Sequence, residues 1–116
     1  MNILVVGASK GTGALAVKEA LAADARIVIT TGGTGPTPTD VTPEAVRPLL
    51  EREIPGIAEA MRLVSREKVP TSILSRGVAG IIGAALVVTL PGSPGGRGAH
   101  PRMPRPAGAA FAVSIA

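Results

Sequence analysis

The sequence predicts an α/β fold, a three-layer sandwich built on a mostly parallel sheet. Two observations carry that expectation. Short apolar runs at residues 2–6, 26–31 and 85–90 have the look of buried strands, because they are Val- and Ile-rich and do not alternate with polar residues. Glycine-rich turns follow the first two runs, and helical patterns follow the turns, which is the order of a strand–helix–strand sheet.

The elements follow in order. After the first strand, residues 7–13 form a glycine-rich turn, and residues 14–22 read as a helix with Leu15, Ala16, Val17 and Leu21 apolar against Lys18 and Glu19. Residues 26–31 (RIVITT) give the second strand, and residues 32–39 give a loop carrying Gly32, Gly33, Gly35, Pro36 and Pro38. Thr42, Pro43 and Glu44 make a helix start: Thr42 can cap, Pro43 suits the first helical position, and Glu44 favours the positive end of the helix dipole. Pro48 breaks or kinks this helix, and Pro55-Gly56 punctuates before a second helix. Its Ile57, Ala60, Met61 and Val64 follow helical spacing, to about residue 67. Residues 71–74 and 85–90 are strand candidates, and Ile81, Ile82, Ala84 and Ala85 form an apolar hairpin that leaves an apolar patch near the surface.

Past Pro91 the pattern changes. Residues 1–96 read as one domain and residues 97–116 as a flexible tail rich in Gly, Pro and Arg, although residues 109–116 are apolar and could dock as a short strand.

Composition narrows the function classes. The 116 residues are 46% hydrophobic and 17% charged, as in a folded globular chain. Phe111 is the only aromatic residue, so the core must be built from Val, Ile, Leu and Ala. The net charge of +4 gathers partly at Arg97, Arg102 and Arg105, and no Tyr or Trp is present to stack bases, so a nucleic-acid partner is not expected. The absence of cysteine excludes thiolate metal sites and a cysteine nucleophile. His100 has no converging ligand in sequence. The N-terminal apolar run is too short for a secretory signal. The apolar residues 78–90 fall short of the ~20 needed to span a bilayer, which leads to the expectation of a cytoplasmic protein with no membrane partner.

Three motifs carry chemistry. Gly7-Ala8-Ser9-Lys10-Gly11-Thr12-Gly13 lies between a strand and a helix, where a backbone can approach a pyrophosphate. Its spacing resembles the start of the short-chain dehydrogenases, with Lys10 suited to the extra phosphate of NADP. No acidic residue ends the next strand, however, and without any Tyr the Tyr-x-x-x-Lys dyad of that family cannot form. A plain tight turn is the competing reading. The second motif is Thr30-Thr31-Gly32-Gly33-Thr34-Gly35, four residues, then Asp40-Val41-Thr42-Pro43-Glu44-Ala45. The glycines free amides to face a phosphate, the threonines add hydroxyl donors, and Asp40 is placed to hold a metal ion, to accept a proton or to cap the helix. The third is Leu90-Pro91-Gly92-Ser93-Pro94 at a strand end, where Gly92 and Ser93 offer an amide and a hydroxyl. Ser75-Arg76 is a weaker candidate: Arg76 could pair with a phosphate, and a plain surface arginine is an equal reading.

The string TTGGTG, its four-residue gap and DVTPEA are similar to the signature of the molybdopterin-binding family, which includes the molybdopterin adenylyltransferases. Arg47-Pro48-Leu49-Leu50, Glu53-Ile54-Pro55-Gly56, Leu74-Ser75-Arg76-Gly77 and Leu90-Pro91-Gly92-Ser93-Pro94 continue the resemblance in order, over residues 25–96. The resemblance implies an enzyme of molybdenum cofactor synthesis that takes ATP, Mg2+ and molybdopterin and releases pyrophosphate. By the same resemblance, Thr31, Gly32, Gly33, Thr34, Gly35, Ser75, Pro91, Gly92 and Ser93 bind the ligand, and Asp40 is the catalytic and metal-binding residue. It also implies a homo-oligomer, a trimer in many members, and a second catalytic acid on N-terminal elements. Residues 1–22 supply no match for that acid, so the chain reads as a hybrid with a dehydrogenase-like start. The alternative functions are an NAD(P)-binding module without catalysis and an inactive fragment.

Overall fold

A computed structural model describes residues 2–7, 13–92 and 110–114 of the chain. Six strands form one sheet in the order β3-β4-β5-β2-β1-β6. They are β1 (Asn2–Gly7), β2 (Ile27–Thr31), β3 (Arg52–Glu53), β4 (Ala79–Ile82), β5 (Ala85–Leu90) and β6 (Ala110–Ser114). The α/β expectation holds. The centre of the sheet, β5-β2-β1, is parallel, and the pairs flanking it are antiparallel. The C-terminal apolar segment docks as β6 against β1, while residues 93–109, which include most of the expected flexible tail, lie outside the described residues.

The core sits on one face. Leu4, Val28 and Val87 are in register across the three parallel strands and meet Val17 and Ala20 of α1 (Gly13–Ala22) and Val46 of α2 (Thr42–Val46). Each fully buried Val removes enough apolar surface to contribute about 1.5–3 kcal/mol. Among the described residues the core holds no aromatic side chain, so the fit depends on small branched side chains meeting closely. On the opposite face, Ile3, Val5, Ile27, Ile29, Leu86 and Val88 stay half-buried.

Helix ends follow local chemistry with one exception. Asp24 terminates α1 with φ 64°, and the Ala25 amide returns to the Ala20 carbonyl at 3.1 Å, the left-handed close that short polar residues tolerate. Pro48 acts as foreseen: α2 gives way to a 3₁₀ turn, Arg47–Leu49. Pro55 does not merely interrupt the chain; it is the first residue of α3 (Pro55–Ser65), where its missing N–H costs nothing. The expected cap at Thr42 is not made. Val41 is the N-cap residue and no side chain caps α2.

Two further expectations are corrected. Residues 71–74 were expected as a strand and instead belong to a 3₁₀ turn, Pro70–Leu74. β4, the next strand in the chain, is already paired on both edges by β3 and β5, and the Ser72 and Ser75 amides turn back to the Val69 and Ser72 carbonyls at 2.9 and 3.0 Å instead. The apolar surface is not at the β4–β5 hairpin, where Ile81 and Ile82 are half-buried and Ala85 is buried. It lies on α3 and the turn after it, with Leu63 66%, Val64 80%, Ile73 63% and Leu74 51% exposed.

Thr30 stands fully buried near the end of β2, and its hydroxyl has no hydrogen-bond partner among the described residues. A buried polar group without a partner carries its desolvation cost uncompensated. Thr30→Val should therefore stabilise the fold by about 1 kcal/mol. Urea denaturation of the two proteins side by side tests this, and a lower midpoint for the variant would count against it.

Candidate functional site

The three parallel strands end together: Gly7 is opposite Thr31, and Thr31 is opposite Leu90. The loops that leave β2 and β5 therefore start side by side, at the carboxyl ends where such sheets bind ligands. The Gly32 amide donates to the Leu90 carbonyl at 3.0 Å, and a methyl placed on Gly92 would lie 3.2 Å from the Gly32 Cα. Gly32 and Gly33 carry φ of 93° and 70°, which side chains disfavour, so the Gly-Gly pair is what lets the chain turn here.

Thr42 fixes the loop from the helix side. Its hydroxyl donates to the Gly32 carbonyl at 2.9 Å and its amide to the Gly33 carbonyl at 3.0 Å. Both loop carbonyls are thus drawn toward α2. Thr42 is already inside α2, one residue past the N-cap Val41, so its hydroxyl serves this tertiary contact and not a cap.

Asp40 closes the loop on itself. Its carboxylate accepts the Thr37 hydroxyl at 2.6 Å and the Thr37 amide at 3.1 Å. These bonds are the main reason its carboxyl is held below the ordinary carboxylate range: the Thr37 hydroxyl foremost, opposed next by desolvation, with the amides of Thr37 and Gly35 and the positive charge of Arg76 adding to the lowering. The carboxylate does not cap α2. It is an ionised group with the bonds named here directed to one oxygen, Oδ2, of the pair.

Opposite the loop stands the segment between the 3₁₀ turn and β4. Ser75 Oγ donates to Thr34 Oγ1 at 3.4 Å, and Arg62 of α3 donates to the carbonyls of Ser75 at 3.3 Å and Gly77 at 3.4 Å. Between these walls is a cavity of about 920 Å³. Gly33, Thr34, Gly35, Asp40, Ser75, Gly77, Leu90, Pro91 and Gly92 line one part of it, and Ala58, Met61, Val64, Val69 and Leu74 line the other. The arrangement can take an elongated ligand with a polar, anionic end at the loop and a flat apolar body against α3.

Most of the expected site residues converge. Gly33, Thr34, Gly35, Asp40, Ser75, Pro91 and Gly92 face the one cavity. Thr31 and Gly32 do not line it; they form the hinge behind, Thr31 as the last residue of β2. Ser93 lies outside the described residues, as do five residues of the first glycine turn, 8–12. Arg76, a candidate partner for a phosphate or a plain surface arginine, has its side chain engaged with the Gly35 and Asp40 carbonyls and with Glu44. Local spacing carries no signal for Thr42 as a loop anchor or Arg62 as a brace, because both act across the fold. Asp24 precedes β2 and so lies at the opposite end of the sheet from this cavity, where it cannot stand in for a second acid. Among the described residues no three His, Cys, Asp or Glu side chains converge on a metal position.

This chain belongs to the family described as "Probable molybdopterin binding domain", whose profile matches residues 3–99. The match runs through the first strand, glycine turn and helix, so that part needs no dehydrogenase parentage. Among similar proteins is the molybdopterin adenylyltransferase of Escherichia coli K12, 53% identical over 68 residues, which are 59% of this chain and 35% of the relative. Its Helicobacter pylori J99 counterpart is 50% identical over 68 residues, 59% of this chain and 39% of the relative. The chain thus spans well under half the length of these curated relatives. Similar solved structures include the molybdopterin biosynthesis Mog protein of Mycobacterium ulcerans, with TM-score 0.69, 49% identity, and 76% of this chain and 58% of that one covered. The molybdopterin biosynthesis enzyme MoaB of Thermus thermophilus gives TM-score 0.61 and 38% identity, covering 79% of this chain and 80% of that one.

Because Asp40 and Glu44 are both held below their ordinary values of 3.8 and 4.5, the folded protein binds fewer protons than the unfolded chain in that range. Their contribution is present above the ordinary carboxylate range and is lost as pH falls through the depressed values. Amide exchange at Gly35 and Thr37 should accelerate in acid before exchange in β2 and β5 does. Simultaneous loosening of loop and strands would overturn this assignment.

Gly35 offers a steric test of the same contact. A methyl at Gly35 would fall 2.6 Å from Asp40 Oδ2, closer than side chains approach one another. Gly35→Ala should expel the carboxylate from its loop and return its titration toward the ordinary range, as read by carbon-13 NMR of the Asp40 carboxyl. An unshifted titration would show that the loop does not hold the carboxylate as described.

Proposed function

We propose that the chain binds molybdopterin and catalyses its adenylylation by ATP, as part of cytoplasmic molybdenum cofactor synthesis. One observation carries the reading: Gly33, Thr34 and Gly35 of the TTGGTG loop, Asp40, Ser75 and the Pro91-Gly92 segment line a single cavity together with the apolar Ala58, Met61, Val64 and Leu74. The family match supports the molybdopterin ligand, and relatives named molybdopterin adenylyltransferase support the reaction.

In this reaction a terminal phosphate oxygen of molybdopterin forms a bond to the α-phosphorus of ATP, and the bond from that phosphorus to the bridging oxygen breaks. Pyrophosphate leaves with the bonding electrons. The protein's part is positioning and charge compensation. The amides of the glycine loop and the Ser75 hydroxyl orient the phosphate end, and the apolar wall holds the ring system. Mg2+ fits this site as a substrate-borne ion, because an ionised Asp40 can supply one oxygen ligand while phosphates and water supply the rest. When bound, it would neutralise phosphate charge.

The exposed Leu63, Val64, Ile73 and Leu74 support self-association, in line with the trimer that the resemblance implies. Sedimentation at rising concentration should show a mass above that of the 11.5 kDa chain, and a monomer throughout would remove this part of the reading.

The reaction is tested at Asp40. Asp40→Asn keeps the shape and removes the charge. Pyrophosphate release from ATP, Mg2+ and molybdopterin should fall by about a hundredfold while molybdopterin binding persists. Equal release by both proteins would sink the catalytic role of Asp40. Calorimetric titration with NADPH separates the dinucleotide alternative: binding of NADPH in place of molybdopterin would reverse the order of the two readings.

A further inference from the structure

Arg76 spends its donors on the back of the glycine loop. Its amide donates to the Thr34 carbonyl at 2.7 Å, Nε to the Gly35 carbonyl at 2.8 Å, and Nη2 to the Asp40 carbonyl at 2.6 Å. Nη1 pairs with Glu44 Oε1, and Nη2 also reaches Glu44 Oε2 at 3.4 Å, so the carboxylate holds the guanidinium plane in place. In a trans peptide the N–H points away from its carbonyl. Drawing the Thr34 carbonyl toward Arg76 therefore turns the Gly35 amide away from it, toward Asp40, and drawing the Asp40 carbonyl back turns the Val41 amide the other way.

We propose that Arg76 is the positioning residue of the anion-binding loop: its side chain holds the Gly35 and Asp40 carbonyls behind the cavity, beside the Thr34 carbonyl taken by its backbone amide, and so sets which way the loop and the Asp40 carboxylate face. It contacts no ligand itself. This rests on the proposed role of the loop as a phosphate cradle. Lys cannot replace it, since one ammonium lacks the planar fork that reaches two carbonyls and a carboxylate together.

The test has one arm without ligand and one with. In the ligand-free protein, amide hydrogen exchange at Gly35, Asp40 and Thr42 should quicken about tenfold or more in Arg76→Met and partly in Arg76→Lys, with β2 and β5 unchanged as the internal control for folding. With inorganic pyrophosphate and Mg2+ as probe, Arg76→Met should bind about tenfold more weakly, with Arg76→Lys between. Glu44→Gln frees one face of the guanidinium; it should weaken pyrophosphate binding slightly. Unchanged exchange in Arg76→Met overturns the proposal, and so does weakened binding without loosened amides, or tighter binding by Glu44→Gln, since both are the mark of a direct phosphate ligand. Loosened amides with unaltered pyrophosphate affinity also overturn it. Wild-type protein that binds no pyrophosphate overturns the cradle reading itself, and the exchange arm then decides separately whether Arg76 holds the loop.

Discussion

The site depends on one constraint, the common register of the three parallel strands. Because Gly7, Thr31 and Leu90 finish level, the chain leaves β2 and β5 at the same height and in neighbouring positions. The Gly32 amide then reaches the Leu90 carbonyl, and two loops 58 residues apart in sequence share a wall. A one-residue slip of β5 against β2 would break that contact. It would also move Val87 off the core face, because side chains alternate along a strand. Core packing and site geometry are thus enforced by the same pairing.

The glycine loop is built by satisfying carbonyls rather than by rigid side-chain packing. Gly32 and Gly33 give theirs to Thr42, and Thr34, Gly35 and Asp40 give theirs to Arg76. Backbone polar groups in a folded chain seek partners. Here the partners lie on the side away from the cavity, so the remaining donors are available to it. α2 serves this purpose more than it serves the core. It is five residues long, and Thr42 and Pro43 are as buried as Val46.

Much of this was legible in the sequence, where the information is local. The apolar runs mark β1, β2 and β5, and the Gly-Gly pair and Pro43 mark the turn and helix start. What was illegible depends on distant partners. Residues 70–74 look extended by composition, yet β4 leaves them no edge to join. Thr42 has the residue type of a cap, yet the helix starts at Thr42 with Val41 as the N-cap, and the Thr42 hydroxyl donates to the Gly32 carbonyl ten positions away. Arg76 looks like a loose surface cation until the loop 41 residues before it folds over its guanidinium. β3 is two residues long, too short for any period to show, and is defined by β4 beside it.

The charge balance at the cavity bears on what must accompany a phosphate there. Arg76 is matched by Glu44, so Asp40 remains as a surplus negative charge at the loop. Arg62 lines the opposite wall, and one end of its guanidinium is committed to the Ser75 and Gly77 carbonyls. Two like charges about 4 Å apart repel by about 4 kcal/mol at the effective dielectric of a protein surface. A polyphosphate carries several such charges, so the loop amides must offset repulsion from a carboxylate that the protein takes care to keep ionised. Under the proposed reaction, a divalent cation brought in on the phosphates would turn that repulsion into attraction, with the ionised Asp40 able to supply one of its oxygen ligands. On this reasoning a carboxylate beside the glycine loop is compatible with the proposed phosphate cradle. It would let the loop favour a phosphate that arrives with its metal over one that arrives without.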